Sequence, residues 1–448
     1  MMPMFLPLSK TSNPARTPSR CLVALVLKFG FLRILILFLE GNDGFIEIGK
    51  MTVFLGEQGS GKSTIAKLLS TFLWLEKALL RGDFSDEEIT YDVFIKKYLT
   101  WQTIETYIHD NSELEFIGTK YRFSLKDKTF SVYKLNESAA YRRPKIAYIS
   151  SERNLCSSIP RADKISGLLQ NLALTVEDFQ DASEHIGSVN LPISNFSYRY
   201  DKNTKREFIS NKNGWEIQLY EAASGIQSLT PLFLITEYYS NPNLQFSNAK
   251  ISALSSEQKS LIRNSFESCR QKNNVGMESF SDFTILVLKS AGIMNIEETA
   301  KNSETQQFIE FEDLISGIVN SCFVNIVEEP EQNLYPNSQK ALMEFLVKSI
   351  QRPGNRLVFT THSPYILGTV NNCLYAGNLM KKGLDVSSII DSEHCLTSAD
   401  VRAYFIEDGK ITSAFDSELG QINHDLIDGC SRDINEVYEK LSDVEFSK

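Results

Sequence analysis

The sequence predicts an α/β fold with a mixed central sheet, an antiparallel β subdomain and a helical insert. Three observations carry that expectation. A β-rich run at 51–55 enters a glycine-rich loop that opens an amphipathic helix. A strand–helix–strand pattern occupies 323–361. Between these two units lie segments that alternate apolar and polar residues, and a polar stretch at 250–320.

The chain has 448 residues, 42% hydrophobic and 23% charged, with 23 Gly and 13 Pro. That is the composition of a folded globular protein and excludes collagen-like or broadly disordered chains. The net charge of −10 supplies no global field toward nucleic acid, although a local basic patch stays open. Seven cysteines (Cys21, Cys156, Cys269, Cys322, Cys373, Cys395, Cys430) never form a CxxC pair, so neither a disulfide framework nor a zinc pattern is present and a reducing cytoplasm is expected. The five histidines include no HExxH or HxxxH pair, so any metal should arrive with a ligand.

Residues 21–39 are an apolar run of membrane-spanning length, interrupted by Lys28 and Arg33. Each charge near a bilayer centre costs roughly 2.5–3.5 kcal/mol against about 0.3–0.6 kcal/mol gained per apolar residue. Buried strands or a helix are therefore expected there; a membrane anchor and a start-site artefact are the alternatives.

Phe45–Ile48 and Met51–Leu55 read as two strands joined by a tight turn at Gly49-Lys50. From Lys62 to Leu80, apolar residues at three- and four-residue spacing predict a helix that stops near Gly82. Residues 114–135 and 196–220 read as antiparallel hairpins, 145–150 as a central strand, and 160–185 as helical. The pattern of strand 323–327, helix 338–350 and strand 356–361 is a βαβ unit, which requires parallel strands.

The strongest chemical signal is GEQGSGKST at 56–64, a GxxxxGKS phosphate loop. Gly56, Gly59 and Gly61 let backbone N–H groups converge on phosphate oxygens, with Thr64 continuing the loop into the helix. Lys62 reaches the terminal phosphates and the Ser63 hydroxyl faces Mg²⁺. Bound ATP and Mg²⁺ are the expected ligands. The segment FVNIVEEPEQNLYP delivers Glu328 and Glu329 to the C-terminal end of a buried strand, which Pro330 halts. Glu328 is assigned to the Mg²⁺ side and Glu329 to general base on the attacking water. The next strand ends at Thr360, Thr361 and His362, where an imidazole can contact the γ-phosphate. Ser224 and Gly225, in EAASGIQS, open an apolar helix and offer a second anion-binding end; in isolation the serine reads as an N-cap.

In this order the four elements resemble the ABC-type ATPase heads, in particular the branch of OLD, RecF and SMC-like proteins, over roughly residues 45–370. The resemblance implies a P-loop ATPase domain at 41–410 with a helical insert at about 240–320, after an uncertain N-terminal segment 1–40 and before an acidic helical tail at 411–448. It implies that Ser224, Gly225 and Gln227 of one subunit cap the γ-phosphate held by the other, with Glu329 as catalytic base and His362 as the switch histidine. Two departures stand out: Glu328 where the family usually has Asp, and Tyr335 where many members have His. No Q-loop glutamine is assigned, although Gln102 is available, and SSERN at 150–154 resembles a recurring OLD-like segment in which Arg153 is either structural or a site residue. No Asp-x-Asp occurs, so no TOPRIM nuclease is expected.

The leading expectation is a cytoplasmic ATPase that dimerises around ATP and regulates a separately encoded effector, as in anti-phage defence. Its rivals are a RecF/SMC-like DNA-repair ATPase that binds nucleic acid directly and a transporter ATPase subunit. The acidic charge counts against the first rival and the EEPE motif against the second; no membrane partner is expected.

Overall fold

The computed structural model describes residues 22–23, 32–35, 45–110, 112–135, 141–193, 195–241 and 322–446. Most of the 1–40 segment and nearly all of the expected helical insert lie outside the described residues.

The strands are β1 (Phe45–Ile48), β2 (Met51–Gly56), β3 (Glu113–Ile117), β4 (Tyr121–Lys126), β5 (Thr129–Lys134), β6 (Pro144–Ile149), β7 (Ser188–Asn190), β8 (Phe196–Asp201), β9 (Arg206–Asn211), β10 (Glu216–Gln218), β11 (Cys322–Glu328), β12 (Arg356–Thr360), β13 (Val401–Glu407) and β14 (Lys410–Ser413). The long helices are α1 (Lys62–Arg81), α2 (Gln170–Ile186), α3 (Ser224–Ser240), α4 (Pro336–Ser349), α5 (Pro364–Lys381) and α6 (Asp425–Phe446).

The central sheet runs β14-β13-β2-β12-β11-β6, with every neighbouring pair parallel except the β13–β14 hairpin. It is therefore an α/β fold with a mixed sheet, and the 323–361 unit is the expected parallel crossover. Alternate residues enter two cores, the period-2 consequence of a pleated strand. Met51, Val53 and Leu55 join Phe323, Val327, Leu357 and Phe359 under α2–α5. Phe54 joins Val324, Ile326 and Val358 under α1 and the antiparallel sheet. There Phe72 stacks on Phe94 and Phe116, and Phe94 on Phe130 with ring centroids 4.2 Å apart.

The hairpins appear where expected: β3–β4–β5 in one antiparallel sheet and β7–β10 in another. Leu32–Leu35 pairs with β1 and β3, and Leu22–Val23 with β3, so the described parts of the apolar run are strand. Among the described residues no helix is long and apolar enough to cross a membrane.

Three expectations need correction. The strands flanking Gly49-Lys50 do not pair with each other: β1 belongs to the antiparallel sheet and β2 to the central one. Gly49 instead presses on β13, where an added Cβ would lie 3.0 Å from the Asp400 carbonyl, and the Tyr404 hydroxyl exchanges hydrogen bonds with the Glu47 backbone. Among the described residues, 145–150 form an edge strand, paired in the central sheet with β11 alone. Pro144, lacking an N–H, opens it, and a sheet edge tolerates that loss. The 160–185 segment is helical only from Gln170, preceded by a single turn at Ala162–Lys164.

Candidate nucleotide site

Strand β2 stops at Gly56 because the chain must turn sharply under β13. Gly56 has φ +140°, and an added Cβ would stand 2.2 Å from the Ile406 carbonyl oxygen. Gly59 and Gly61 also have positive φ, but none of the described residues lies within 4 Å of their Cβ positions. These two glycines answer to backbone conformation, and the space before them is open. Gly61 is the N-cap of α1 and no side chain caps the helix, leaving its first N–H groups to point into that space.

Lys62 is buried, with Nζ donating to the Gly56 and Glu57 carbonyls at 2.8 and 2.7 Å and, at 3.4 Å, to Ser60 Oγ. Burial lowers its pKa, while Glu329, Glu331 and Glu328 oppose the shift. Three carboxylates thus act on the phosphate-loop lysine. Ser63 is exposed and Thr64 half-buried beside it.

All of β11 is buried, and it ends in Glu328. The Tyr148 hydroxyl donates to Glu328 Oε1 at 2.5 Å, and the Ser151 N–H reaches Oε2 at 3.3 Å. Glu329 follows with φ +43°, a left-handed conformation that costs a non-glycine residue on the order of 1–3 kcal/mol. Its N–H is pinned to the Thr360 carbonyl at 3.1 Å and to Thr360 Oγ1 at 3.2 Å. That twist sends the carboxylate to the neighbouring strand end, where Oε1 lies 3.4 Å from His362 Nε2. Contact with His362 holds the Glu329 pKa low against the opposing effect of burial, with Lys62 and Arg153 adding to the depression.

Glu331 carries no signal that separates it from its acidic neighbours in the sequence, yet it ties the two strand ends together. Its Oε1 accepts from Thr361 Oγ1 at 2.8 Å and from the His362 N–H at 2.7 Å. Burial raises its pKa, and its other oxygen is buried with no hydrogen-bond partner among the described residues. Tyr148 was equally invisible, since nothing in a strand sequence says which acid a phenol will meet. Arg153, left open by the sequence, is wholly buried and among the described residues donates to backbone carbonyls alone.

The helix start that the sequence offered as a second anion-binding candidate lies against the loop after the acidic pair. Helix α3 begins at Ser224, but Ala223 occupies the N-cap and no side chain caps it, correcting the N-cap reading of the serine. The sequence could not separate the two because Ala-Ser places the hydroxyl one residue inside the first turn. Ser224 is exposed. A Cβ on Gly225 would lie 2.6 Å from the Asn333 carbonyl oxygen, so the helix start leans on the loop that follows the acidic pair. Gln227 Nε2 donates to the Tyr220 carbonyl at 2.8 Å. Gln102 lies next to Thr103, which accepts from Lys67 of α1 at 3.3 Å, and Tyr335 is 73% exposed at the N-cap of α4.

The donor set suits Mg²⁺. Ser63 and Glu328 carry hard oxygen atoms of the kind this ion takes, and among the described residues Glu328 Oε2 is engaged by the long Ser151 bond alone. Among the described residues no group of three or more His, Cys, Asp or Glu could hold a metal by itself.

The family described as "AAA domain, putative AbiEii toxin, Type IV TA system" matches residues 324–368, the stretch running from β11 through the acidic edge to His362 and the start of α5. The comparison with curated proteins returned no match. Among solved structures, the chain is similar to the SMC head domain from Thermotoga maritima, with 10% identity, a TM-score of 0.35, and coverage of 88% of this chain and 98% of that one. It is also similar to an SmcHead bound to the C-winged helix domain of ScpA, with 9% identity, a TM-score of 0.36, and coverage of 87% and 96%. The glycine loop, acidic strand end and AAA match support an ABC-type P-loop ATPase domain, and the fold rests on the strand order and loop geometry.

Proposed function

We propose that the chain is an ATP-hydrolysing head that pairs with a second copy around ATP. The observation that carries this reading is the meeting of the Glu329 carboxylate and His362 ring across two strand ends, beside a lysine folded into a glycine loop.

The roles follow from chemistry. The N–H groups at the start of α1 bind the phosphate chain, and Lys62 exchanges its carbonyl acceptors for phosphate oxygens. Ser63 and Glu328 would hold Mg²⁺, which supplies charge neutralisation to the phosphates when bound. Glu329, kept ionised by its lowered pKa, accepts the proton of a water whose oxygen attacks the γ-phosphorus as the bond to the β–γ bridging oxygen breaks. His362 orients that carboxylate and, when protonated, donates to the departing phosphoryl group.

The phosphate loop covers one side of the γ-phosphate. The uncapped end of α3, with Ser224, Gly225 and Gln227, is the anion-binding element suited to the other side. It is supplied by the partner in a two-fold arrangement, where each subunit gives and receives one contact. ATP then binds the pair more tightly than the single head, and hydrolysis releases that preference. We read the output as control of a separately encoded effector in anti-phage defence; the family description that matches 324–368 includes a toxin system.

Light scattering of Glu329→Gln with and without ATP, compared with the same protein carrying Ser224→Arg, tests the pairing. ATP should double the molar mass of the first and not of the second. Equal masses, together with a Ser224→Arg change that leaves hydrolysis untouched in the protein with Glu329 intact, would remove the trans contact from the reading.

A further inference from the structure

Arg153 is the largest wholly buried side chain among the described residues, and none of its hydrogen bonds there goes to a carboxylate oxygen. A guanidinium has five N–H donors in a fixed plane, and here five bonds all end on backbone carbonyls. Nε donates to Ser228 at 3.1 Å, in the first turns of α3. Nη1 donates to Glu328 at 2.7 Å and, more weakly, to Ser150 at 3.3 Å. Nη2 donates to Glu329 at 2.7 Å and, more weakly, to Pro330 at 3.4 Å. Burial pushes its pKa down to about 10, opposed by the charges of Glu331, Glu329 and Glu328, so it stays cationic at neutral pH.

One rigid plane therefore joins α3 to the three peptide units that hold the acidic edge. Glu329 sits among them in a strained left-handed conformation, which only persists if its surroundings determine it. The Arg153 bond to its carbonyl and the Thr360 bonds to its N–H are those determinants. A shift of α3 along its axis moves the Ser228 carbonyl, and the guanidinium cannot follow without changing its grip on Glu328 and Glu329.

We propose that Arg153 is a positioning residue that couples the docking of α3 on a partner's nucleotide to the placement of the Glu329 carboxylate. The inference rests on the trans-contact reading above and adds the route by which that contact reaches the base. A partner's nucleotide docked on α3 holds the Ser228 carbonyl in place, and through the guanidinium plane it fixes the register of Glu328 and Glu329.

The experiment is a double-mutant cycle on steady-state ATP hydrolysis, pairing Arg153→Lys with Ser224→Arg. Lysine keeps the charge but has three donors on one atom and cannot bridge the two segments. Arg153→Lys alone should lower kcat ten- to a hundredfold while the affinity for ATP changes less than threefold. In the double variant the two losses should overlap, giving a kcat no lower than about threefold below the poorer single variant. Losses that multiply overturn the coupling, as does an unchanged kcat in Arg153→Lys. If Ser224→Arg alone leaves kcat intact, the trans contact itself fails, which is a separate result. Should Arg153→Lys not fold, amide exchange on the wild type decides: ATP should protect 328–332, and Ser224→Arg should abolish that protection. Protection that survives the arginine overturns the proposal.

Discussion

Helix α1 carries two buried charges, and they have opposite fates. At its first turn the Lys62 ammonium is held by two loop carbonyls and one hydroxyl, beneath glycines whose outer face is open. Four turns on, Glu76 is wholly enclosed. Its carboxylate fills the turn between β3 and β4, accepting from the N–H groups of Lys120 at 2.7 Å and Tyr121 at 3.2 Å. A Cβ on Gly118 would collide with it at 2.3 Å. Burial pushes its pKa up to about 7, while the backbone donors of Lys120, Tyr121 and Thr119 and the Arg356 charge hold the shift back. Burial alone does not mark a functional charge. A buried group whose neighbours already meet its needs is not available to a ligand, whereas one that borrows exchangeable backbone acceptors beside open space is positioned to bind something else.

The sharpest way to break that comparison is Lys62→Ala. It should weaken ATP binding at least about a hundredfold by titration calorimetry while leaving the thermal midpoint nearly unchanged. A large loss of stability with intact binding would reverse the assignment. Next in size, Glu329→Gln should lower the hydrolysis rate about 10²–10³-fold with ATP affinity retained, because it removes a proton acceptor and not a phosphate contact.

His362→Gln sharpens the picture further. The imidazole holds the Glu329 pKa down, so its removal should move the acid limb of the pH–rate profile to higher pH. A limb that stays in place would detach the histidine from the base. The smallest effect belongs to the other charge. The folded-state pKa of Glu76 near 7 exceeds the ordinary value of 4.5, so the folded chain binds a proton that the unfolded chain releases. That contribution to stability is full below about 4.5 and is lost as pH rises through about 7. Glu76→Gln should flatten the thermal midpoint between pH 5 and 7 relative to the wild type, with hydrolysis unaffected.

The sequence made the local features legible and left the long-range partners hidden. The phosphate loop, α1, the hairpins and the β11–α4–β12 crossover each follow from short-range spacing and turn chemistry. Gly49-Lys50 misled because a tight turn between two strands is the same in sequence whether the strands pair or part into different sheets. The edge position of β6 had only Pro144 to announce it. At the site, Lys62, Glu328, Glu329 and His362 were readable because each stands at a strand end or in a loop motif. Tyr148, Glu331 and Arg153 were not, since their roles depend on contacts between segments distant in the chain.

The position of β2 has a consequence for how the chain comes off the ribosome. This strand carries the phosphate loop near the beginning of the sequence, yet its two neighbours are β12 and β13, completed only at residues 360 and 407. Until they emerge, both edges of an apolar strand have no parallel partner in the central sheet. Such non-local pairing slows folding and leaves strand edges open to other chains. Nucleotide affinity should therefore appear late and abruptly during synthesis. A nascent chain stalled before residue 401 would carry the full glycine motif and still lack the Ile406 carbonyl against which Gly56 makes its turn.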